Sequence, residues 1–249
     1  MQMPATAPVK TQPPLYDNVR AFNRSDGDMR IFSPVSYARV RNAQIVPAVH
    51  TEALSLAHWY PVCWQRDGEA ATLVALRTLR NDGSCQPAGS NSLVAMPLAL
   101  RAYPFVVGAE QPEGNDLIET DISDEPSDIG APMMTVGGTA SAGSLLKLRA
   151  KAAFDEALPL TQAMTDALVT GDLLEPWPLD FDIGGEKIGV VSLSVIKAHA
   201  ISSPGMFQFI ERFGPAAAVF LGAHRISLFR AGILFQAANS KQPGQSQLS

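Results

Sequence analysis

The sequence predicts an α+β fold: a mixed or antiparallel sheet drawn mostly from the first two thirds of the chain, followed by a helical C-terminal part. Three observations predict it. Leu179, Phe181 and Ile183 alternate with polar residues before Gly184-Gly185 and a second apolar run, which reads as a β-hairpin over 179–193. The run AGSLLKLRAKAAFDEAL (142–158) is strongly helical. Residues 194–235 read as mostly helical, with Pro204 and Pro215 in first-turn positions.

The remaining elements follow in order. Residues 1–14 are rich in Pro, Thr, Ala and Gln, and 239–249 are polar; both read as loose tails around a single domain, 15–238. HTEALSLAHW (50–59) reads as a short helix, with Thr51 as N-cap and Ala53, Leu54, Ala57 and His58 on one stripe. Tyr60-Pro61 stops it, because the residue before a proline is pushed out of the α region, and the extended Val62-Cys63-Trp64 follows. AATLVALRTL (70–79) suits strand or helix by period alone. Asp67-Gly68 before it and Asn81-Asp82-Gly83 after it are turn signals that favour a strand or hairpin arm. Pro97 opens a helical run, Leu98–Ala102, which Tyr103-Pro104 ends ahead of an extended Phe105-Val106-Val107-Gly108. The middle, 109–143, is loop-rich, with NDLIETDI (115–122) as its strand. Pro159 ends or kinks the helix begun at 142, and Thr161 caps the next one, which runs through Ala163, Met164, Ala167 and Leu168 towards Gly171.

Composition narrows the function classes. Apolar residues make up 46% and charged residues 17% of the 249, as in a folded globular protein. The formal charge of −5 argues against a general nucleic-acid binder. Eight acidic residues and no Lys or Arg lie between Ala102 and Leu146, leaving the rest of the chain at +3. Cys63 and Cys85 are too few and too isolated for a disulfide scaffold or zinc ribbon, and read as buried or half-buried thiols in a reducing compartment. The N-terminal residues contain no apolar stretch of the kind a secretory signal carries. The most apolar stretch, PAAAVFLGA (215–223), falls far short of the ~20 residues of a membrane span. The expectation is a soluble, cytoplasmic protein.

Five blocks carry a family resemblance: PLYDNV (14–19), IVPAVHTEALSLAHWYPV (45–62), LALRAYPFVVG (98–108), LVTGDLLEPW (168–177) and GAHRISLF (222–229). In this order they resemble the blocks of the bacterial SapC-like family, over roughly 14–235. That family is named for a gene beside a surface-layer protein gene and is distinct from the membrane permease sharing the name. The resemblance implies a link to cell-surface or envelope protein systems and little about activity. Two departures stand out. The usual Asn-Leu-Phe and Gly-x-Trp are replaced by NDGSCQPAGSNSLVAM (81–96), and a histidine common in the N-terminal block gives way to Gly27 or Asp28. Where those residues carry a ligand in relatives, this member binds differently or not at all.

Several constellations have chemical readings, each with a plainer one beside it. His50-Thr51-Glu52 has the His-x-carboxylate spelling of an iron facial triad, with His199 or His224 as second imidazole, but on a helix i and i+2 lie ~200° apart and cannot face one metal. His224 and Ser227 share a helix face as a catalytic pair or as a core histidine beside a backbone-bonded serine. Arg101, near a helix end, either complements the dipole or clamps a carboxylate or phosphate, with Tyr103. Glu119, Asp121, Asp124, Glu125 and Asp128 lack EF-hand spacing and read as a solvated acidic loop. Gly137-Gly138 and Gly184-Gly185 read as turns.

The leading expectation is a non-catalytic binding or accessory protein for a peptide or protein client, with Arg101 and Tyr103 as ligand contacts and no metal or cofactor. The alternative is an enzyme on a peptide or small acidic substrate, anchored by Arg101, with His224 as acid/base beside Ser227 or Glu52. A homo-oligomeric structural subunit is a third reading and would show an apolar surface patch.

Overall fold

The structure, a computed structural model, describes residues 15–23, 26, 29–31, 40, 42–80, 84–89, 92–109, 115–120, 130–183, 186–190 and 192–240. In chain order the strands are β1 (Val19–Ala21), β2 (Arg30–Ile31), β3 (Ile45–Pro47), β4 (Val62–Asp67), β5 (Ala70–Leu76), β6 (Leu117–Glu119), β7 (Ala131–Pro132), β8 (Leu174–Pro176), β9 (Leu179–Ile183), β10 (Glu186–Val190) and β11 (Leu193–Ile196). The helices are α1 (Ala53–Leu56), α2 (Leu98–Ala102), α3 (Ala142–Thr170), α4 (Pro204–Ser227) and α5 (Ala231–Ser240). The fold is α+β. Its centre is a five-stranded antiparallel sheet of order β3-β5-β4-β11-β8, with the pairs β1-β6, β2-β7 and β9-β10 beside it.

Alternation along β4 and β5 sends side chains into two cores, so both faces of the sheet are covered. Val62, Trp64, Leu73 and Ala75 face Met164 and Leu168 of α3 and Phe209, Phe220 and Ala223 of α4. Cys63, Val74 and Leu76 face the β9-β10 hairpin and Leu234 and Ala238 of α5. A third core lies between the first half of α3 and the α2 block, where Ala150, Phe154 and Ala157 meet Tyr16, Tyr103 and Val106. Both cysteines are free and buried.

Gly68 (φ +59°) sits at the first position of the two-residue loop joining β4 to β5, a place that calls for glycine. Tyr103-Pro104 ends α2 as expected, as a cis peptide; α1 ends earlier than expected, at Leu56, and a turn closed by the Tyr60 N–H on the Leu56 carbonyl leads to Tyr60-Pro61. Ser203 accepts from the Met206 N–H at 3.2 Å and Pro204 opens α4. Gly214 (φ +70°) then breaks that helix, so Pro215 opens its second segment. Gly171 caps α3. The turn at Gly184-Gly185 and the signal at 81–83 lie outside the described residues.

Four expectations are corrected. Thr51 is not an N-cap: the segment opens as a 3₁₀ turn, His50–Glu52, after Val49, whose N–H is taken by the Glu52 carboxylate at 3.2 Å. That tighter turn shifts the phase of α1, so Ala53, Leu56 and Ala57 are buried while Leu54 and His58 are exposed. Pro159 does not end α3, which runs unbroken for 29 residues. Pro159 faces solvent while Ala150, Phe154, Ala157, Thr161, Met164 and Leu168 keep one buried stripe through it, and that packing outweighs the proline's cost. Thr161 is therefore interior and caps nothing; its hydroxyl donates to the Ala157 carbonyl at 2.8 Å. Apart from these corrections, 215–223 is part of a longer helical stretch, Pro204–Ser240, that is long and apolar enough to cross a membrane by length and composition. Its inner face is part of the core described above.

Replacing Pro159 by alanine restores the missing N–H on an exposed turn and should raise stability by about 1–3 kcal/mol. Urea denaturation of wild type and variant measures this, and an unchanged or lowered midpoint would show the proline to be required by the helix.

Candidate functional site

The two polar residues on α4 lie at the centre of the sheet. The β11-β4 register runs Leu193↔Gln65 and Ser194↔Trp64. Continued two residues further, it sets Ile196 opposite Val62, and there the His224 ring stands between the strands. Its Nδ1 lies 2.7 Å from the Val62 carbonyl, and its Nε2 accepts from the Ile196 N–H at 3.2 Å. A carbonyl only accepts and an amide N–H only donates, so the partners fix the neutral tautomer with the proton on Nδ1. Ser227, one turn on, accepts from the Val62 N–H at 2.9 Å and donates to the His224 carbonyl at 2.6 Å. Both side chains are fully buried. Burial pushes His224 down to about 4, so it is neutral at ordinary pH.

Glu52, Arg101 and Tyr103 lie about the short helix α2, Glu52 at its start and the other two at its end. The Glu52 carboxylate accepts from Val49 N–H at 3.2 Å and Leu98 N–H at 2.8 Å, joining the 3₁₀ turn to the first turn of α2. Burial pushes it up to about 7, against those two donors and the positive field of Arg101. Arg101 is exposed and makes no hydrogen bond or ion pair among the described residues. Tyr103 is buried, its ring stacked on Tyr16 with centroids 6.2 Å apart. The structure therefore brings Glu52 near Arg101, turns Tyr103 inward, and places His224 and Ser227 in the sheet, away from both.

Beneath this block lies a polar row that sequence reading missed. Lys147 and Lys151 of α3 are each only 4% exposed. Lys147 donates to the Tyr103 carbonyl at 2.6 Å, and burial pushes it down to about 7. Lys151 pairs with Asp155 at 2.6 Å and Asp116 at 3.3 Å. The other Asp155 oxygen accepts from the Gly108 N–H at 2.7 Å. Gly108 has φ +68°, and a Cβ there would meet Leu158 at 3.0 Å. The signal was available: 147, 151 and 155 recur every fourth residue beside the buried stripe of Ala150 and Phe154.

His50 Nδ1 lies 2.8 Å from Thr161 Oγ1, and the exposed His199 sits on a separate 3₁₀ turn, Ala198–Ser202. Among the described residues no three His, Cys, Asp or Glu side chains converge as a metal site. Glu119, read as part of a solvated acidic loop, is instead a fully buried strand residue whose carboxylate accepts from the backbone N–H groups of Asp17 and Asn18. The other four residues of that run, 121, 124, 125 and 128, lie outside the described residues.

His224→Phe keeps a ring but leaves the Val62 carbonyl and the Ile196 N–H without that partner, and should cost about 2–5 kcal/mol at pH 7. The folded pKa of about 4 lies below the ordinary 6.5, so the unfolded chain takes the proton first as pH falls. The stability that neutral His224 contributes is thus lost between pH 6.5 and 4, by about 3 kcal/mol. Glu52, raised to about 7, acts in the opposite sense between 4.5 and 7, so the wild-type profile alone mixes the two. The gap between wild type and variant isolates His224: in urea titrations it should narrow from pH 7 to pH 4, and parallel profiles would refute the bridging role.

A family model described as SapC matches residues 23–203, a span holding every residue named in this site except Tyr16, Asp17, Asn18, His224 and Ser227. No curated protein and no solved structure matches the chain. With the match covering well over half the sequence, the chain belongs to the SapC family.

Proposed function

We propose that this SapC-family chain is a non-catalytic binding protein of the cytoplasm, serving a bacterial cell-surface or envelope protein system by taking a peptide or protein client, with Arg101 as a contact. One observation carries the reading. The His224 imidazole has both ring nitrogens spent on strand backbone inside the protein, while the exposed Arg101 guanidinium, at the end of α2, makes no hydrogen bond or ion pair among the described residues. The enzymatic alternative asks His224, Arg101 and a carboxylate to line one cavity. Glu52 spends its oxygens on two backbone N–H groups, and His224 is reached by no solvent. The envelope link rests on the family and its surface-layer association.

Affinity capture from native lysate, wild type against Arg101→Ala, tests this by mass spectrometry. One protein or peptide class should be enriched by wild type and lost with the variant. An identical captured set would reduce Arg101 to a helix-end residue.

A second reading, self-association, is favoured by the outer face of the C-terminal helices. Val219, Ile226, Phe229 and Ile233 recur at steps of seven, three and four, and Phe229 is 84% exposed. The row carries no charge, so two copies meet there without like-charge repulsion. Light scattering should show a dimer for wild type and a monomer for Phe229→Glu; a wild-type monomer at high concentration would end this reading.

A further inference from the structure

A cavity of about 360 Å³ opens at the far end of α3, between that helix and β4, β11 and β8. Arg66, Ser192 and Ser194 supply its polar side, and Val169, Leu174 and Pro176 its apolar side. We infer that this cavity binds a carboxylate carrying a small apolar substituent, with Arg66 as the anchor and the two serine hydroxyls beside it.

The strand register assembles the donors. Ser192 accepts the Arg66 N–H through its carbonyl at 2.7 Å, which sets these residues opposite one another, and Ser194 follows two positions along β11, on the same face. The Arg66 guanidinium makes no hydrogen bond or ion pair among the described residues, and neither serine hydroxyl makes a hydrogen bond there. The acid that could have neutralised Arg66, Asp172 at the cavity wall, is held instead by Lys197 at 2.6 Å. Arg66 is left as a half-buried cation with its fork unspent.

The backbone shapes the cavity wall. Asp172 (φ 51°) follows the Gly171 cap of α3 in the left-handed conformation usual at a helix end, with the Leu173 N–H donating to the Leu168 carbonyl at 2.9 Å and the Asp172 N–H to the Val169 carbonyl at 3.0 Å. Ser192 (φ 63°) turns the chain into β11 on the opposite side of the cavity. The volume is at the lower end of the ~300–1,000 Å³ of small-molecule sites.

The chemistry selects the ligand class. A planar carboxylate takes two parallel N–H bonds from one guanidinium and leaves lone pairs for hydroxyl donors. A phosphate dianion would meet a single cation with the Asp172 carboxylate close by, and so is disfavoured. Val169, Leu174 and Pro176 call for an aliphatic group next to the acid. That acid could be a free small molecule or the C-terminus of a peptide. The cavity is separate from the Arg101 block: from Lys147, under that block, to Val169, the rise along α3 is roughly 33 Å.

N-Acetyl-L-leucine is the probe, read by calorimetry and by amide chemical shifts. It should bind saturably, while N-acetyl-L-leucinamide should not. Arg66→Gln should weaken binding at least tenfold without lowering the urea midpoint of the free protein, Ser194→Ala should weaken it several-fold, and Arg101→Ala should leave it unchanged. A leucine-terminated tetrapeptide separates the sources: tighter binding than the single residue, lost on C-terminal amidation, assigns a peptide terminus, and weaker binding assigns a free acid. The inference is overturned if the amide binds as well as the acid, if Arg66→Gln binds like wild type, or if inorganic phosphate binds and the acid does not.

Discussion

The architecture depends on a helix finishing a sheet. Where β4 and β11 diverge at Val62 and Ile196, three strand groups that a neighbouring strand would satisfy are left inside the protein, and a buried unpaired backbone group is costly. His224 supplies two of them at once, presenting a donor to one strand and an acceptor to the other, and Ser227 takes the third, the Val62 N–H. Few side chains offer a donor and an acceptor across a rigid ring, so the neutral imidazole here does the work of a peptide unit. The packing of Trp64 against that ring, centroids 4.8 Å apart, holds it in place.

Around this bridge the other polar side chains of the core follow the same logic. Glu52 ties a 3₁₀ turn to the start of a helix 46 residues away, Ser144 donates to the Met133 carbonyl, and Lys147 donates to the Tyr103 carbonyl. Each satisfies backbone left over where an irregular segment is packed inside. The protein has many short strands and long connections, so much of its backbone lies outside regular ladders, and charged side chains are spent on closing it. Among the described residues the Arg66, Arg101 and Arg149 guanidinium groups take no part in this, and of the three Arg66 is the one that lines a cavity.

The parts legible in the sequence are those fixed by neighbours in the chain. The 179–190 hairpin follows from alternation, the first-turn places of Pro204 and Pro215 from the ring's fixed φ, and the end of α3 from Gly171. The buried thiols followed from composition. Less legible was anything decided by a distant partner. Pro159 reads as a stop until its outward direction and the unbroken stripe behind it are seen. His224 and Ser227 were recognisable as sharing a face, but the strand that they serve lies some 160 positions earlier, and only the folded sheet shows why both are needed. The Lys147–Lys151–Asp155 row was legible in principle, since its four-residue steps keep it beside the apolar stripe, but lysine is by default a solvent residue. Arg66 beside a turn carries no local mark at all.

One consequence concerns where the span matched by the family model stops. The matched span ends at residue 203, and α4 begins at the next residue. Yet the sheet inside that span is completed by side chains at 224 and 227. In this chain the matched span therefore depends on residues beyond it to satisfy its own sheet. Detached from α4, it would bury two frustrated strand positions or open to water there, and closing it again would become a bimolecular event, governed by the concentration of the missing helix instead of by the tether that now holds it.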